Sequence, residues 1–288
     1  MKTYIHYLCV ILAAVCWGMI GLFNRLLGEL GVDVLQRVTI RNFGTLVVLT
    51  AVFAVTRREV FRVKLRHFPI FLGSGLVSIL GLSIVYLYCQ MECSLAVAGT
   101  LLYLAPSFVV VLSAVLWKVP VTRGKVAALV LALIGCALVS GMVGSQVTAS
   151  PRGLLLGVAS GFCYATYTVF AHYGLKHYDS LTMTYWTFVV AGLASLVFWD
   201  MPVMLAVFTD SRGIAGALGL ALVATVLPYL LYTKGLEGVE SGKASVIANV
   251  EPVVGALVGV FVFGEILSLW VIFGIACVLG GVLLLTKE

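Results

Sequence analysis

Two ten-residue stretches decide the fold of this chain, AGTLLYLAPS at 98–107 and ASVIANVEPV at 244–253. They align without a gap, and Pro106 and Pro252 stand 146 residues apart, each inside a long apolar segment. Proline inside a helix costs on the order of 3 kcal/mol in water, so a matched pair is far stronger evidence of a repeat than matched alanines. We therefore predict two related halves, residues 1–145 and 146–288.

The composition of the 288-residue chain excludes a soluble protein. Apolar residues make up 62% of it and charged residues 10%, against about 25% charged residues in an average soluble domain. Mean hydropathy is +1.14. Because so few polar side chains cannot cover a water-facing surface, soluble enzymes, nucleic-acid binders and disulfide scaffolds are excluded. The cysteines and histidines show no metal-ligand spacing, so neither a metal nor a cofactor is expected.

Ten apolar segments of membrane-spanning length follow one another along the chain. They cover residues 5–27, 34–56, 68–90, 94–117, 122–141, 153–174, 180–200, 212–233, 243–263 and 268–286. Helices satisfy their own backbone hydrogen bonds in lipid, so the pattern predicts an all-α membrane protein with ten transmembrane helices. Each half holds five of them, and an odd number makes the two repeats inverted with respect to the membrane.

The basic residues between the segments predict the orientation. Placing the N-terminus in the cytoplasm puts nearly all loop Lys and Arg on that side, including the Arg57–Arg66 cluster, and leaves Arg152 and Arg212 outside. Cytoplasmic loops carry an excess of Lys and Arg. We therefore predict a multi-pass protein of the cell (inner or plasma) membrane with both termini in the cytoplasm.

Several short motifs carry a resemblance to a known family. They are AAVCWG at 13–18, RNF at 41–43, LAP at 104–106, EPV at 251–253 and FGE at 263–265. With these the chain resembles the ten-span EamA-type branch of the drug/metabolite transporter superfamily over essentially its whole length. The first repeat departs from the pattern, because Lys118 and Val119 stand where Gly-Glu is expected. The resemblance implies alternating access by a bundle of five plus five helices, as in other transporters with inverted repeats.

Glu251 is the acidic residue that the sequence places deepest in the membrane, immediately before Pro252. An ionised carboxylate there costs several kcal/mol unless it is paired, protonated or in contact with water. Two functional interpretations follow: Glu251 binds a cationic group of the substrate, or it exchanges the proton that couples transport. The structural alternative is a carboxyl group that hydrogen-bonds backbone atoms freed by the proline.

Other polar and aromatic residues are predicted near the membrane midplane. Arg41 is deep enough to bind a substrate carboxylate or pair with an acid, whereas Arg37 is expected to reach the lipid headgroups. Tyrosine buried in lipid would leave its hydroxyl unpaired, so the tyrosines are predicted to face a wet cavity, with the repeat mates Tyr86 and Tyr232 in one pocket. The predicted substrate-binding set is Trp17, Arg41, Tyr86, Tyr103, Tyr164, Tyr167, Tyr232, Asn249 and Glu251.

These features favour a secondary active transporter that exports a small amphipathic, amino acid-like metabolite by alternating access. One buried acid, one buried base and many tyrosines suit a zwitterion with an apolar side chain. Uptake of a small organic cation, such as a quaternary amine in an aromatic cage, is the alternative within transport. The alternative class is a non-transporting membrane enzyme or sensor subunit. Expected partners are the lipid bilayer, a small-molecule substrate and protons, without nucleic acid, and both a monomer and a homodimer remain open.

Overall fold

The computed structural model describes residues 2–143, 148–266 and 268–286. Within these ranges the chain is helical, and the one extended pairing is an isolated bridge between Cys93 and Ala149. The main helices are α1 (Tyr4–Glu29), α2 (Val34–Thr56), α3 (Leu65–Glu92), α4 (Leu95–Trp117), α5 (Arg123–Val139), α6 (Pro151–Gly174), α7 (Ser180–Phe198), α8 (Met201–Thr209), α9 (Ser211–Gly235), α10 (Ser241–Phe263) and α11 (Leu269–Thr286). The predicted boundary between the halves, 145/146, lies outside the described residues.

Eight of these helices are long and apolar enough to cross a membrane, which makes the chain a multi-pass membrane protein. The remaining three are α5, α8 and α11. Helix α5 has 17 residues and packs against α11, and a span count of ten stays a prediction because both helices are short. Helix α8 lies where the sequence analysis expected a loop. Its first turn is stabilised by Pro202 and by the Asp200 carboxylate, which accepts a hydrogen bond from the Val203 amide at 3.2 Å.

The matched prolines break α4 and α10 at equivalent places. The regular helix ends at Leu102 in α4 and at Ala248 in α10, four residues before Pro106 and Pro252. In a regular helix the proline ring would clash with the carbonyl group of the residue four positions earlier. Proline also lacks the N–H group that would donate a hydrogen bond to that carbonyl. Both helices resume directly afterwards, so each carries a local bend near its middle.

Helices α3 and α9 share a second matched feature, a wide π-helical segment that begins at Gly73 in α3 and at Gly219 in α9. A side chain on Gly73 would collide with the ring of Phe170, and one on Gly219 with the ring of Phe23. Each glycine therefore receives a phenylalanine from the other half. The two contacts are related by the repeat, which supports an inverted, interlocked arrangement of the halves.

The connections between helices lie on two sides of the bundle. Helix α1 begins on what we call the N-terminal side, where His6 Nδ1 lies 2.9 Å from the carbonyl oxygen of Lys234, and the Tyr178 hydroxyl accepts a hydrogen bond from the Lys64 amide. The opposite, far side carries the link from α1 to α2. The loops on the N-terminal side are therefore tied together across the two halves.

Candidate functional site

A cavity of about 370 Å³ penetrates the bundle between helices of both halves. Residues at the far-side ends of α1, α2 and α3 form its mouth, namely Asn24, Arg37 and Gln90. Its inner end lies at the broken segments of α4 and α10, where Tyr103 and Glu251 contribute to the wall. The cavity thus reaches from the far side to the middle of the bundle, and we call it the large cavity.

Glu251 occupies the inner part of the large cavity and is fixed there by a hydroxyl group. The Tyr164 hydroxyl on α6 donates a hydrogen bond to Glu251 Oε2 at 2.8 Å, and Tyr103 on α4 lines the same cavity. Gly18 lets α1 approach closely, since a Cβ atom there would lie 2.7 Å from the Glu251 carbonyl oxygen. The carboxyl group is therefore oriented by neighbours yet faces a space that a ligand can enter.

Arg41 on α2 supplies a positive charge to the same cavity. Its guanidinium donates to Ser83 Oγ on α3 at 3.0 Å and to the side-chain oxygen of Asn42 at 3.4 Å. Arg41 and Glu251 interact electrostatically, but no ion pair joins them among the described residues. Both charged groups thus keep hydrogen-bonding capacity for a ligand between them.

Aromatic rings close the cavity toward the N-terminal side. Trp17 packs edge-on against Tyr229 and Tyr164, with ring centroids 5.2 Å and 6.3 Å apart. The centroid of the Tyr232 ring lies 5.2 Å from that of Trp17, on the side of Trp17 that faces the N-terminal side of the bundle. Such pairs add stability beyond the area they bury. The rings of Trp17, Tyr164 and Tyr229 therefore form a rigid layer on the N-terminal side of Arg41 and Glu251, and we call this layer the aromatic floor.

The structure brings six of the nine predicted binding residues together in the large cavity. These are Trp17, Arg41, Tyr86, Tyr103, Tyr164 and Glu251. The other three do not line it. Tyr167 and Tyr232 are buried below the floor, where their hydroxyls pair with Thr233 at 2.6 Å and Thr168 at 2.9 Å, and Asn249 lines a separate small cavity.

The expectation that Tyr86 and Tyr232 share one pocket is therefore wrong. Tyr86 lies toward the far-side end of α3 and lines the large cavity, whereas Tyr232 lies toward the N-terminal-side end of α9 and lines a separate small cavity. Arg37, which was expected to reach the lipid headgroups, lies at the cavity mouth and donates to the Asn24 carbonyl at 2.9 Å. Its contact with headgroups stays a prediction.

The sequence analysis missed several lining residues on α3. Ser83, Leu87 and Gln90 line the cavity and lie three or four residues from one another or from Tyr86, which was predicted. This spacing places them on one face of the helix, so the pattern could have identified the set once Tyr86 was chosen. Tyr229 on α9 also lines the cavity, although it is not in the predicted binding set.

Comparison with known proteins identifies the architecture. The profile of the EamA-like transporter family matches twice, at residues 5–141 and 151–287. The chain belongs to the EamA-like transporter family. The two matches confirm the resemblance in the sequence motifs and the presence of two repeats, one in each half of the chain.

Relatives of the chain carry transporter names. An uncharacterized transporter of Archaeoglobus fulgidus is 29% identical over 97% of this chain and 95% of its own length. The uncharacterized transporter YwfM of Bacillus subtilis is 28% identical over 99% and 95%, respectively. A solved crystal structure matches with a TM-score of 0.82 over 98% of this chain and 96% of its own, at 17% identity, which shows a common fold. This EamA-like protein is therefore a membrane transporter by family.

Proposed function

We propose that this EamA-like protein exports a small zwitterionic, amino acid-like metabolite with an apolar side chain across the cell membrane. The observation that carries the proposal is that Arg41 and Glu251 line the same cavity without an ion pair between them among the described residues. The second guanidinium of the cavity, Arg37, lies at the mouth and donates to the Asn24 carbonyl. A zwitterion complements both charges at once. A ligand with a single charge would leave one buried group without a partner, which is costly in a site of low polarity.

The cavity offers a suitable contact for each chemical group of such a substrate. The carboxylate binds Arg41, whose guanidinium is held by Ser83, and the ammonium group binds Glu251, whose carboxyl is held by Tyr164. The apolar side chain packs against the leucines of the cavity, which are Leu82, Leu87, Leu102 and Leu220. Apolar walls with a few well-placed polar groups are typical of small-molecule sites.

The direction and coupling follow from the charge distribution of the loops. With the basic loops in the cytoplasm, the far side is extracellular, and the large cavity corresponds to the outward-facing state of an alternating-access cycle. In this state an exporter releases substrate and takes up a proton. Glu251 is the proposed proton carrier, because the ammonium group and the proton compete for the same carboxylate.

A second candidate function is uptake of a small organic cation. The aromatic rings of Trp17, Tyr164 and Tyr229 next to Glu251 favour it, since aromatic faces attract quaternary amines. Arg41 opposes it, because a cation in the same cavity would meet a second positive charge.

Exchange assays in proteoliposomes at equal pH on both sides separate the candidates. Labelled amino acids with apolar side chains are tested against their methyl esters, their N-acetyl derivatives and a quaternary amine. Competition by the zwitterion alone supports the proposal, whereas competition by the ester and the quaternary amine supports cation transport. Absence of exchange with all of them would refute both.

Proton coupling has its own test, the Glu251→Gln variant. Glutamine keeps the shape and hydrogen bonding of the side chain but cannot titrate. If Glu251 both carries the proton and binds the ammonium group, as proposed, gradient-driven accumulation is lost and exchange at equal pH weakens as well. If Glu251 carries the proton without binding the ammonium group, accumulation is lost while exchange at equal pH largely persists. If Glu251 only binds the ammonium group, exchange and binding fall together, but the remaining transport still follows the pH gradient. Unchanged gradient-driven transport by a well-folded variant would leave Glu251 with a structural role at the bend before Pro252.

A further inference from the structure

A second cavity of about 20 Å³ lies between α4, α6 and α10, on the N-terminal side of the aromatic floor. Its walls include Ala105, Tyr164, Tyr232 and Asn249. Tyr164 lines both cavities, so its ring separates them, and its hydroxyl is bonded to Glu251. We call this space the small cavity.

The repeat relates the inner end of the large cavity to the small cavity. A shift of 146 positions turns Tyr86 into Tyr232, Tyr103 into Asn249 and Leu102 into Ala248, and each pair consists of one large-cavity and one small-cavity residue. A shift of 147 turns Trp17 into Tyr164 in the same way. The small cavity is therefore built in part from the surfaces that, in the opposite halves, form the inner end of the large cavity.

Polar side chains continue from the small cavity toward the N-terminal side. On α6, Thr168 and His172 follow Tyr164 at intervals of four residues. On α10, Ser245 and Ser241 precede Asn249 at the same interval. Side chains four residues apart share a helix face, and the two rows meet where the Ser241 hydroxyl lies 3.5 Å from His172 Nδ1. We call this interface of α4, α6 and α10 the polar seam.

Several buried polar atoms along the polar seam have no hydrogen-bond partner. They are Asn249 Nδ2 on α10 and Ser113 Oγ and Trp117 Nε1 on α4. Asn249 and Ser113 are only 3% and 2% exposed. Unpaired buried polar groups are rare and costly, whereas in a helix interface that opens to water the same groups would be hydrated. Opening of the polar seam would therefore give these three groups hydrogen-bond partners.

Two contacts close the N-terminal end of the polar seam. Lys125 Nζ at the start of α5 binds both carboxylate oxygens of Glu240, just before α10, at 2.7 Å and 2.8 Å, and also the Pro120 carbonyl at 3.0 Å. The rings of Trp117 on α4 and His172 on α6 stack with centroids 3.8 Å apart. Together they fasten the end of α4 to α6 and to α10.

We propose that the polar seam is the closed substrate path on the N-terminal side, opening when the large cavity closes, with the Lys125–Glu240 pair and the Trp117–His172 stack as its latch. The proposal rests on the alternating-access mechanism of the proposed function. The opened seam exposes Thr168, Ser245 and Asn249 to water and substrate. Glu251 is then reached from this side, because Tyr164 already connects it to the small cavity.

The test compares two cysteine reporters in purified protein, Ser245→Cys in the polar seam and Gln90→Cys at the mouth of the large cavity. Maleimide labelling rates are read for each cysteine by mass spectrometry, with the buried native Cys89 as an internal reference. Lys125→Gln releases the latch and leaves Glu240, whose side chain is 32% exposed, free to be hydrated. The expected result is labelling at 245 that rises about tenfold and labelling at 90 that falls, as in a population shift between two states.

The matched control is Lys234→Gln, which removes a local ion pair between the last turn of α9 and Glu237, three residues on, on the same side. It should leave both labelling rates unchanged. If Lys125→Gln does not fold, His172→Ala breaks the stack and serves as the second latch variant. No increase at 245, or an increase at both reporters, overturns the proposal, because the first means no opening and the second a general loosening. Labelling requires no substrate, so this outcome is independent of the transport assays.

Discussion

Arg41→Gln tests the charge recognition on which the proposed substrate class depends. In the wild type the guanidinium is held by Ser83 Oγ at 3.0 Å and lines the large cavity. Hydrogen bonds to charged groups contribute about 1.5–3 kcal/mol each, and a tenfold change in Kd corresponds to about 1.4 kcal/mol. Losing one such interaction with a substrate carboxylate is therefore expected to weaken binding roughly 10- to 150-fold.

The assay is a thermodynamic cycle with two ligands, the amino acid and its carboxamide, measured by calorimetry in detergent. The wild type should bind the carboxamide more weakly by the same factor that Arg41→Gln loses for the acid. The variant itself should no longer distinguish the two ligands, because the interaction has already been removed. Arg37→Gln is the control, since Arg37 lies at the cavity mouth and donates to the Asn24 carbonyl. It should change affinity less than about threefold, the scale of a weak or exposed ion pair.

The reasoning fails if Arg41→Gln still prefers the acid over the amide by the wild-type factor, because the carboxylate would then bind elsewhere. It also fails if both ligands lose affinity equally in the variant. That pattern would mean that Arg41 shapes the cavity or balances Glu251 without touching the substrate.

Three shorter predictions test other parts of the structure. Tyr164→Phe removes the donor to Glu251 and should weaken substrate binding about tenfold or more, with an unchanged melting temperature in detergent; a parallel loss of stability would contradict a binding role. Gly73→Ala should lower the free energy of unfolding by about 1–3 kcal/mol through overpacking against Phe170, whereas Gly21→Ala, whose added carbon meets no atom within 4 Å, should not. An impermeant thiol reagent applied to intact cells should label Thr209→Cys and spare Arg58→Cys; the opposite result would reverse the orientation.

The sequence predicted the helices well because membrane helices are defined by length and apolar content. The segment 34–56 agrees with α2 at both ends, and the Asp33 carboxylate, which accepts a hydrogen bond from the Leu35 amide at 3.0 Å, explains the sharp start. The matched prolines predicted two related halves, and in the structure both helices break four residues before their proline. In these cases a single local residue, a capping aspartate or a proline, determines where the helix begins or breaks.

The binding set was predicted less well because a sequence does not specify which side of an inverted repeat is open. Tyr86 and Tyr232 are equivalent by sequence, yet one lines the large cavity and the other pairs with Thr168 in the closed half. The packing that decides between them involves contacts across the halves, such as the ring of Trp17 on Tyr232. Such contacts depend on the conformational state, which hydropathy and spacing do not encode.

The two repeats share their helix breaks and π-helical segments, but the charged residues of the large cavity have no charged equivalents in the other repeat. Glu251 corresponds to Ala105 in the first half, and Arg41 corresponds to Thr187 in the second, so the small cavity has no charged pair of its own. In the proposed mechanism it needs none. Tyr164 lies between the two cavities and holds the Glu251 carboxyl at 2.8 Å, so opening either side brings water and substrate to the same acid. A second acid at position 105 would give the two states separate sites, and an ammonium group could then bind from both sides at once. One charged site shared by two symmetric paths is what alternating access requires, and Ala105→Glu should accordingly uncouple proton movement from transport.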